Sequence, residues 1–432
     1  MALTVRGTIL QTPDPEVLEV LEDSIVAVDD SGRITSVGPA GPDARADVEL
    51  PATQVLLPGL IDTHLHAPQW PQLATGLDLP LERWLFEYTF PLEARYADTD
   101  FATRVWDSMV PALLARGTTT VVYHSSIHES ATLALAEACI EHGQRAFVGR
   151  VAMDHPGGTP EWYRDVDAAA GVAASHQSAE AIQALPGAGQ RVRPIITPRF
   201  VPACTDALLQ GLGELAVATG IPVQTHCSES DWEHQYVLDR YGHTDTRALH
   251  GFGLAGDHTV LAHATHLDDD DRGLLVAVGA GVAHCPLSNA YFANAVFPAR
   301  RSLAAGLRIG LGSDVSGGPE PSMLAQCGHA VTASRMLQDG VDVTAPATDR
   351  GVAESRIDIT TAFWMATAGG AELLGIPAGL LTPGRVFDAV AVAVERLSDL
   401  DDWDRTFEKL VRASSVTDIT HVWVDGREVS PS

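Results

Sequence analysis

The sequence predicts an α/β fold, a (β/α)8 TIM-like barrel joined to a small β-sandwich built from both ends of the chain. Three observations carry this reading. Short apolar runs alternate with segments of helical spacing through the middle of the 432 residues. Both ends have a strand-and-turn texture too brief to close a core alone. Polar residues able to do chemistry stand at the ends of the apolar runs, where a barrel places its active site.

Taken in order, residues 3–7, 24–29 and 33–38 read as strands separated by turns, and residues 387–394 and 421–427 return to the same texture. Neither end buries its apolar face without a partner, so 1–60 and 380–432 are expected to form one composite β-sandwich domain. Between them, 61–379 is expected to be the barrel. Its strands are the run ending at His66 and then the runs near 118–123, 146–151, 193–198, 222–226, 259–263, 281–285 and 308–314. Segments 97–116, 130–142, 204–219, 268–278, 322–337 and 358–374 have helical spacing and length. Eight strands with helical crossovers favour a barrel, with a doubly wound sheet as the alternative. Segment 339–357, rich in Gly, Pro, Asp and Thr, predicts a mobile loop.

Composition narrows the function. With 28 basic against 56 acidic residues, the net charge of -28 repels a phosphate backbone or an anionic membrane, so neither a nucleic acid polymer nor a membrane is expected as a partner. No apolar run reaches the ~18 residues of a membrane span. The start of the chain lacks a basic and apolar signal pattern. Cys139, Cys204, Cys227, Cys285 and Cys327 are odd in number, scattered and without Cys-x-x-Cys, which suits a reduced, cytoplasmic chain.

Residues 58–66 read Pro-Gly-Leu-Ile-Asp-Thr-His-Leu-His. In an extended segment alternate side chains share a face, so His64 and His66 can offer two imidazoles to one ion. Among 17 histidines, chance supplies roughly 0.7 such pairs, so the pair needs its context. His226, His263 and Asp314 end separate predicted strands and provide that context. Nitrogen donors plus a carboxylate suit one zinc ion, or ferrous iron, better than magnesium. Lys409 is the only lysine and lies near the C-terminus, which excludes a lysine-bridged pair of ions on a central strand. Glu229 follows His226 by three residues at a strand tip, where a carboxylate can swing over the metal and shuttle protons. The remaining histidines, His124, His266 and His284 among them, are read as core or surface residues.

The blocks around these positions resemble the guanine deaminases of the amidohydrolase superfamily. They include His-Leu-His-Ala-Pro-Gln-Trp from His64, Thr-Gly-Leu-Asp-Leu-Pro-Leu-Glu-Arg-Trp-Leu from Thr75 and Tyr-Thr-Phe-Pro-Leu-Glu-Ala-Arg from Tyr88. Ile-Thr-Pro-Arg-Phe from Ile196, His-Cys-Ser-Glu from His226, Ala-His-Cys-Pro-Leu-Ser-Asn from Ala283 and Gly-Leu-Gly-Ser-Asp-Val-Ser-Gly-Gly from Gly310 belong to the same pattern. The resemblance runs from about residue 55 to 390. It implies zinc on His64, His66, His226 and Asp314, with His263 completing the site as a ligand or as a neighbour of the water. It also implies Glu229 as proton shuttle, Asp314 orienting and deprotonating the water, Gln69 and Arg199 reading the polar edges of a purine, and Phe200 packing on its ring. His128 matches the family and is expected to line the pocket. A homodimer is implied as well. The expected reaction is hydrolysis of guanine to xanthine and ammonia, a step in purine catabolism.

Three positions depart from the family pattern. His124 stands where guanine deaminases carry an apolar or aromatic residue, His266 ends Ala-Thr-His where a glycine is usual, and residues 326–329 replace a more basic segment. Such changes could move specificity toward a pterin, 8-oxoguanine or a triazine. A non-catalytic binding paralogue should have lost ligands, whereas every expected position is filled. The cytidine-deaminase zinc fold is excluded because its His-x-Glu and Pro-Cys-x-x-Cys are absent.

Overall fold

The computed structural model describes residues 2–41, 43–189, 191–293, 295–394 and 402–429. The two ends of the chain meet in one hydrogen-bonded sheet of eight strands. Leu3–Asp14 and Val17–Val28 form a long antiparallel hairpin, bent by irregularities between Gly7 and Ile9 and between Gln11 and Asp14. Gln54–Pro58 pairs antiparallel with Ala389–Ala393, and that strand pairs in turn with Ile419–Val424. The period-2 alternation of these segments puts Val5, Ile9, Val26, Leu56, Phe387, Ala389 and Trp423 into one buried cluster.

The barrel strands, numbered here in chain order, are β1 (Leu60–His66), β2 (Thr118–His124), β3 (Arg145–Gly149), β4 (Val192–Pro194, resumed at Thr197–Pro198), β5 (Gln224–Cys227), β6 (Val260–His263), β7 (Gly281–His284) and β8 (Arg308–Leu311). They are parallel within two four-stranded arcs, β1 to β4 and β5 to β8. Backbone bonds close both seams. Ile196 donates to Pro222 and accepts from Gln224, both at 2.9 Å, and Asp314 donates to His64 at 2.9 Å while His66 donates to Val315 at 3.0 Å. All residues of β1 and β2 are buried, as expected of strands covered on both faces.

The helices Thr99–Leu114, Glu129–His142, Asp206–Thr219, Asp269–Val278 and Met323–Asp339 fall where helical spacing predicts them. The single helix expected over 358–374 is two, Ile359–Met365 and Ala368–Leu374, broken at Thr367. The second helix presses its glycines on the barrel: a Cβ on Gly369 would lie 2.8 Å from the Ile309 carbonyl and 2.5 Å from Trp364. A helix over Trp403–Ala413 interrupts the C-terminal stretch read as β, and its Phe407 meets Phe363 edge to face at 5.2 Å.

The loop after Asp339 is clamped at its base. Val352 donates to Leu337 at 2.8 Å, Arg356 pairs with Asp339 at 2.6 Å, and Gly340 approaches Gly351 so closely that a Cβ would sit 2.6 Å from its nitrogen. The segment between β1 and the helix at Thr99 is a chain of short turns and helices, including Ala67–Gln72, Leu81–Trp84 and Phe90–Glu93. It supplies Gln69, Trp84 and Glu93 to the C-terminal mouth of the barrel.

Candidate metal centre and base pocket

Five side chains from four strand tips converge at that mouth. His64 and His66 leave β1 on one face, His226 lies in β5, His263 ends β6 and Asp314 follows β8. His263 and Asp314 adopt left-handed backbone at φ 70° and 48°, and Ser228 and Ala264 do so at 48° and 49°. Such conformations are costly for non-glycine residues and are kept where they aim a functional side chain. His64 Nε2 lies 3.1 Å from Asp314 Oδ1, and His66 Nε2 lies 3.7 Å from the same oxygen and 2.9 Å from His226 Nε2. His263 Nε2 is 3.9 Å from Asp314 Oδ2.

The donor set fits a divalent ion. His64, His66 and Asp314 hold their ligating atoms within 4.8 Å of one another, as do His226, Glu229 and His263. The buried Nε2 atoms of His64 and His263 have no hydrogen-bond partner, a costly state unless a cation collects their lone pairs. Burial lowers the pKa of His64, His66 and His226, leaving their imidazoles neutral and able to ligate. Orientation comes from behind: His226 Nδ1 meets the Arg199 carbonyl oxygen at 2.6 Å and His263 Nδ1 meets Asn289 Oδ1 at 2.9 Å, which turns each Nε2 lone pair inward. Replacing Asn289 with alanine is expected to weaken zinc affinity by about 10-fold or more. Titration against a chelator checks this, and an unchanged affinity would mean that His263 needs no such support.

The acidic groups differ in their electrostatics. Burial would raise Asp314, but His64 and then His263 outweigh it and hold this carboxyl down at about 2. Burial pushes Glu229 up to about 7, with His263 and Arg199 pulling against the rise and Asp314 adding to it. Glu229 Oε1 is 3.7 Å from His263 Nε2, and its backbone N–H donates to Glu233 at 2.8 Å.

Beside the ion site opens a pocket. Leu81, Trp84, Leu85, Phe200 and Phe292 give it apolar walls, and Gln69, Arg199, Glu229 and Asp314 give it polar ones. Trp84 and Phe292 meet at 5.0 Å between ring centroids. The polar end is wired through Glu93, which is fully buried. Arg199 donates to Glu93 with both terminal nitrogens, at 2.6 and 3.1 Å, and Gln69 Nε2 donates to Glu93 Oε1 at 3.1 Å. The Ser316 N–H donates to Gln69 Oε1 at 3.2 Å. Burial alone would lower the Arg199 pKa, and Glu93 more than restores it, so the guanidinium stays charged. Its carbon lies 4.9 Å from the Phe90 ring centroid.

His64, His66, His226, His263, Asp314, Glu229, Gln69, Arg199 and Phe200 thus gather around one space. His128 does not join the cavity wall: it precedes the helix Glu129–His142 and faces the Tyr163 ring at 5.9 Å. His266 stacks on His234 at 4.7 Å and lies 3.4 Å from Asp231, outside the cavity wall. Sequence reasoning assigned no role to Glu93, Asn289 or His124. Glu93 lies inside a block that was singled out, yet only the fold shows what it touches. His124 carries the same signal as the expected ligands, a polar residue ending a barrel strand, though the sequence alone reads it as a core or surface residue.

A probable guanine deaminase of Schizosaccharomyces pombe is 37% identical over 393 residues, covering 88% of this chain and 72% of the relative. The crystal structure of a guanine deaminase from C. acetobutylicum with guanine bound in its active site superposes with a TM-score of 0.90 at 27% identity, covering 99% of this chain and 100% of the other. An adenosine deaminase from Xanthomonas campestris with bound zinc superposes with a TM-score of 0.80 at 26% identity, over 99% and 92% of the two chains. The amidohydrolase family model matches residues 55–429, and the chain belongs to the amidohydrolase family.

Proposed function

We propose that this chain is a guanine deaminase, which adds water to guanine and releases xanthine and ammonia. The observation that carries the reading is the buried network in which Glu93 holds Gln69 and Arg199, the two that line one cavity with Glu229 and Asp314. An amide and a guanidinium each keep hydrogen-bonding capacity after binding Glu93. A flat heterocycle with a carbonyl on one edge can take up that capacity, Arg199 donating to the oxygen and Gln69 both donating and accepting. Phe200 and Trp84 supply faces for the ring.

His64, His66, His226 and Asp314, with His263, would hold one zinc ion. Bound there, zinc makes water acidic enough to attack at neutral pH. Asp314, ionised throughout the neutral range, accepts a hydrogen bond from the attacking water and orients it. Glu229, poised near neutrality, takes one proton from the water and passes it to a ring nitrogen; as the adduct collapses to the new carbonyl, Glu229 takes the second proton from the added hydroxyl and delivers it to the departing amine. The leaving group then departs as ammonia rather than as an amide anion.

The same reading includes a role in purine catabolism, a homodimer and a cytoplasmic setting, which suits five unpaired, buried cysteines. Among the described residues no helix is long and apolar enough to cross a membrane. Ammonia release from a panel of heterocycles tests the substrate. Guanine is expected to exceed 2-aminopurine, which keeps the amine but lacks the carbonyl, by at least about 10-fold in kcat/KM. A pterin, 8-oxoguanine or a triazine turned over faster than guanine would overturn the substrate, and no ammonia from any of them would overturn the reaction.

A further inference from the structure

We propose that His124 is a further imidazole ligand of the ion, beyond the positions the family pattern supplies. The inference rests on the reading of His64, His66, His226 and Asp314 as ligands. Parallel pairing of β1 with β2 sets His66 directly opposite His124, so the fold brings the tip of β2 to the level of the His-x-His pair. The His124 ring centroid lies 4.8 Å from that of His64, 4.7 Å from that of His66 and 4.9 Å from that of His226. Ligating atoms of His64, His124 and His226 all fall within 4.8 Å of one another.

The ring is fully buried, and neither nitrogen has a hydrogen-bond partner. An imidazole locked into a core without an ion should find a carbonyl, a hydroxyl or a carboxylate, as His226 and His263 do at their Nδ1 atoms. His124 instead faces the rings of His64, His66 and His226. The neighbouring imidazoles do not satisfy it: His66 Nε2 and His226 Nε2 meet each other at 2.9 Å, while both ring nitrogens of His124 are left without a partner. A shared cation satisfies all of them at once. With His124, the ion would have two imidazoles from β1, one each from β2 and β5 and the carboxylate after β8; His263 would then stand beside the attacking water rather than on the ion, and the remaining position stays with that water. Tighter retention of the metal follows.

The test uses the full chain stripped with a chelator and reloaded. In wild-type protein loaded with NMR-active cadmium, a scalar coupling between the metal and a His124 ring nitrogen is expected. Metal bound without that coupling overturns the proposal while leaving the ion site intact. Failure to bind metal at all overturns the ion site and this proposal with it. H124F should bind zinc about 10-fold or more weakly, change the visible spectrum of its cobalt form, and show one imidazole fewer by X-ray absorption. H124L serves the same comparison should the phenyl ring prevent folding. Identical affinity, spectrum and imidazole number in variant and wild type would overturn the assignment. Two ions in wild type falling to one in the variant would put His124 on a second ion and overturn it as well.

Discussion

Glu229→Gln is expected to reduce turnover of guanine by roughly 100-fold or more while leaving bound zinc near the wild-type level. The argument begins with burial. Removed from water, with Asp314 close by, the Glu229 carboxyl rises to about 7 even though His263 and Arg199 oppose the shift. A group with that affinity for protons can both accept and donate one at neutral pH, as a reaction that moves a proton from water to an amine requires. Glutamine keeps the shape and the volume. It can still donate an amide hydrogen bond, but it cannot pick up a proton.

Two measurements on the same preparation separate the roles available to this residue. Its carboxyl also lies in ligand range of His226 and His263, so a metal-binding role makes its own prediction. Turnover lost with zinc retained supports the shuttle. Zinc lost along with turnover would make Glu229 a ligand, and an unchanged rate would refute the shuttle outright.

What the sequence reveals of this site follows from the regularity of strands. Alternation in β1 puts His64 and His66 on one face, and parallel strands of similar length bring His226, His263 and Asp314 to the same end of the barrel. Those positions are legible because local periodicity determines them. Glu93 is not, because its meaning lies 106 residues away in Arg199, and no local pattern marks an acid in a short turn as buried. Asn289 is hidden for the same reason, since it acts only through the imidazole of His263. His124 ends a strand as the ligands do, but a single histidine is by default a core or surface residue, and nothing in the local pattern lifts it out of that default. In the fold, helical spacing in 358–374 predicts one helix, and close packing of Gly369 on β8 accompanies a break into two. The Trp403–Ala413 helix was masked by the strand-like runs on either side of it.

Glu93→Gln should lower kcat/KM for guanine by about 100-fold, mainly through KM, because it disarranges the groups that read the base while leaving Glu229 and the ion site in place. Arg199 is buried, and its charge is offset by Glu93 through two hydrogen bonds. Glutamine can accept only one of them on its carbonyl oxygen. Its amide nitrogen would face a guanidinium nitrogen, donor against donor, and the buried cation would lose its counter-charge. Gln69, which donates to the same carboxylate, would lose its anchor too. Zinc content should not change, since Glu93 is no ligand, and a thermal melt would show whether the variant remains folded. A structural role alone would lower the melting temperature without shifting KM. The decisive comparison is a double-variant cycle with Arg199→Met. If Glu93 acts by holding Arg199, then once the cation is gone Glu93→Gln should cost little further, because the carboxylate no longer has a partner to position. A penalty that adds in full on top of Arg199→Met would place the action of Glu93 elsewhere, with Gln69 as the remaining side chain it holds.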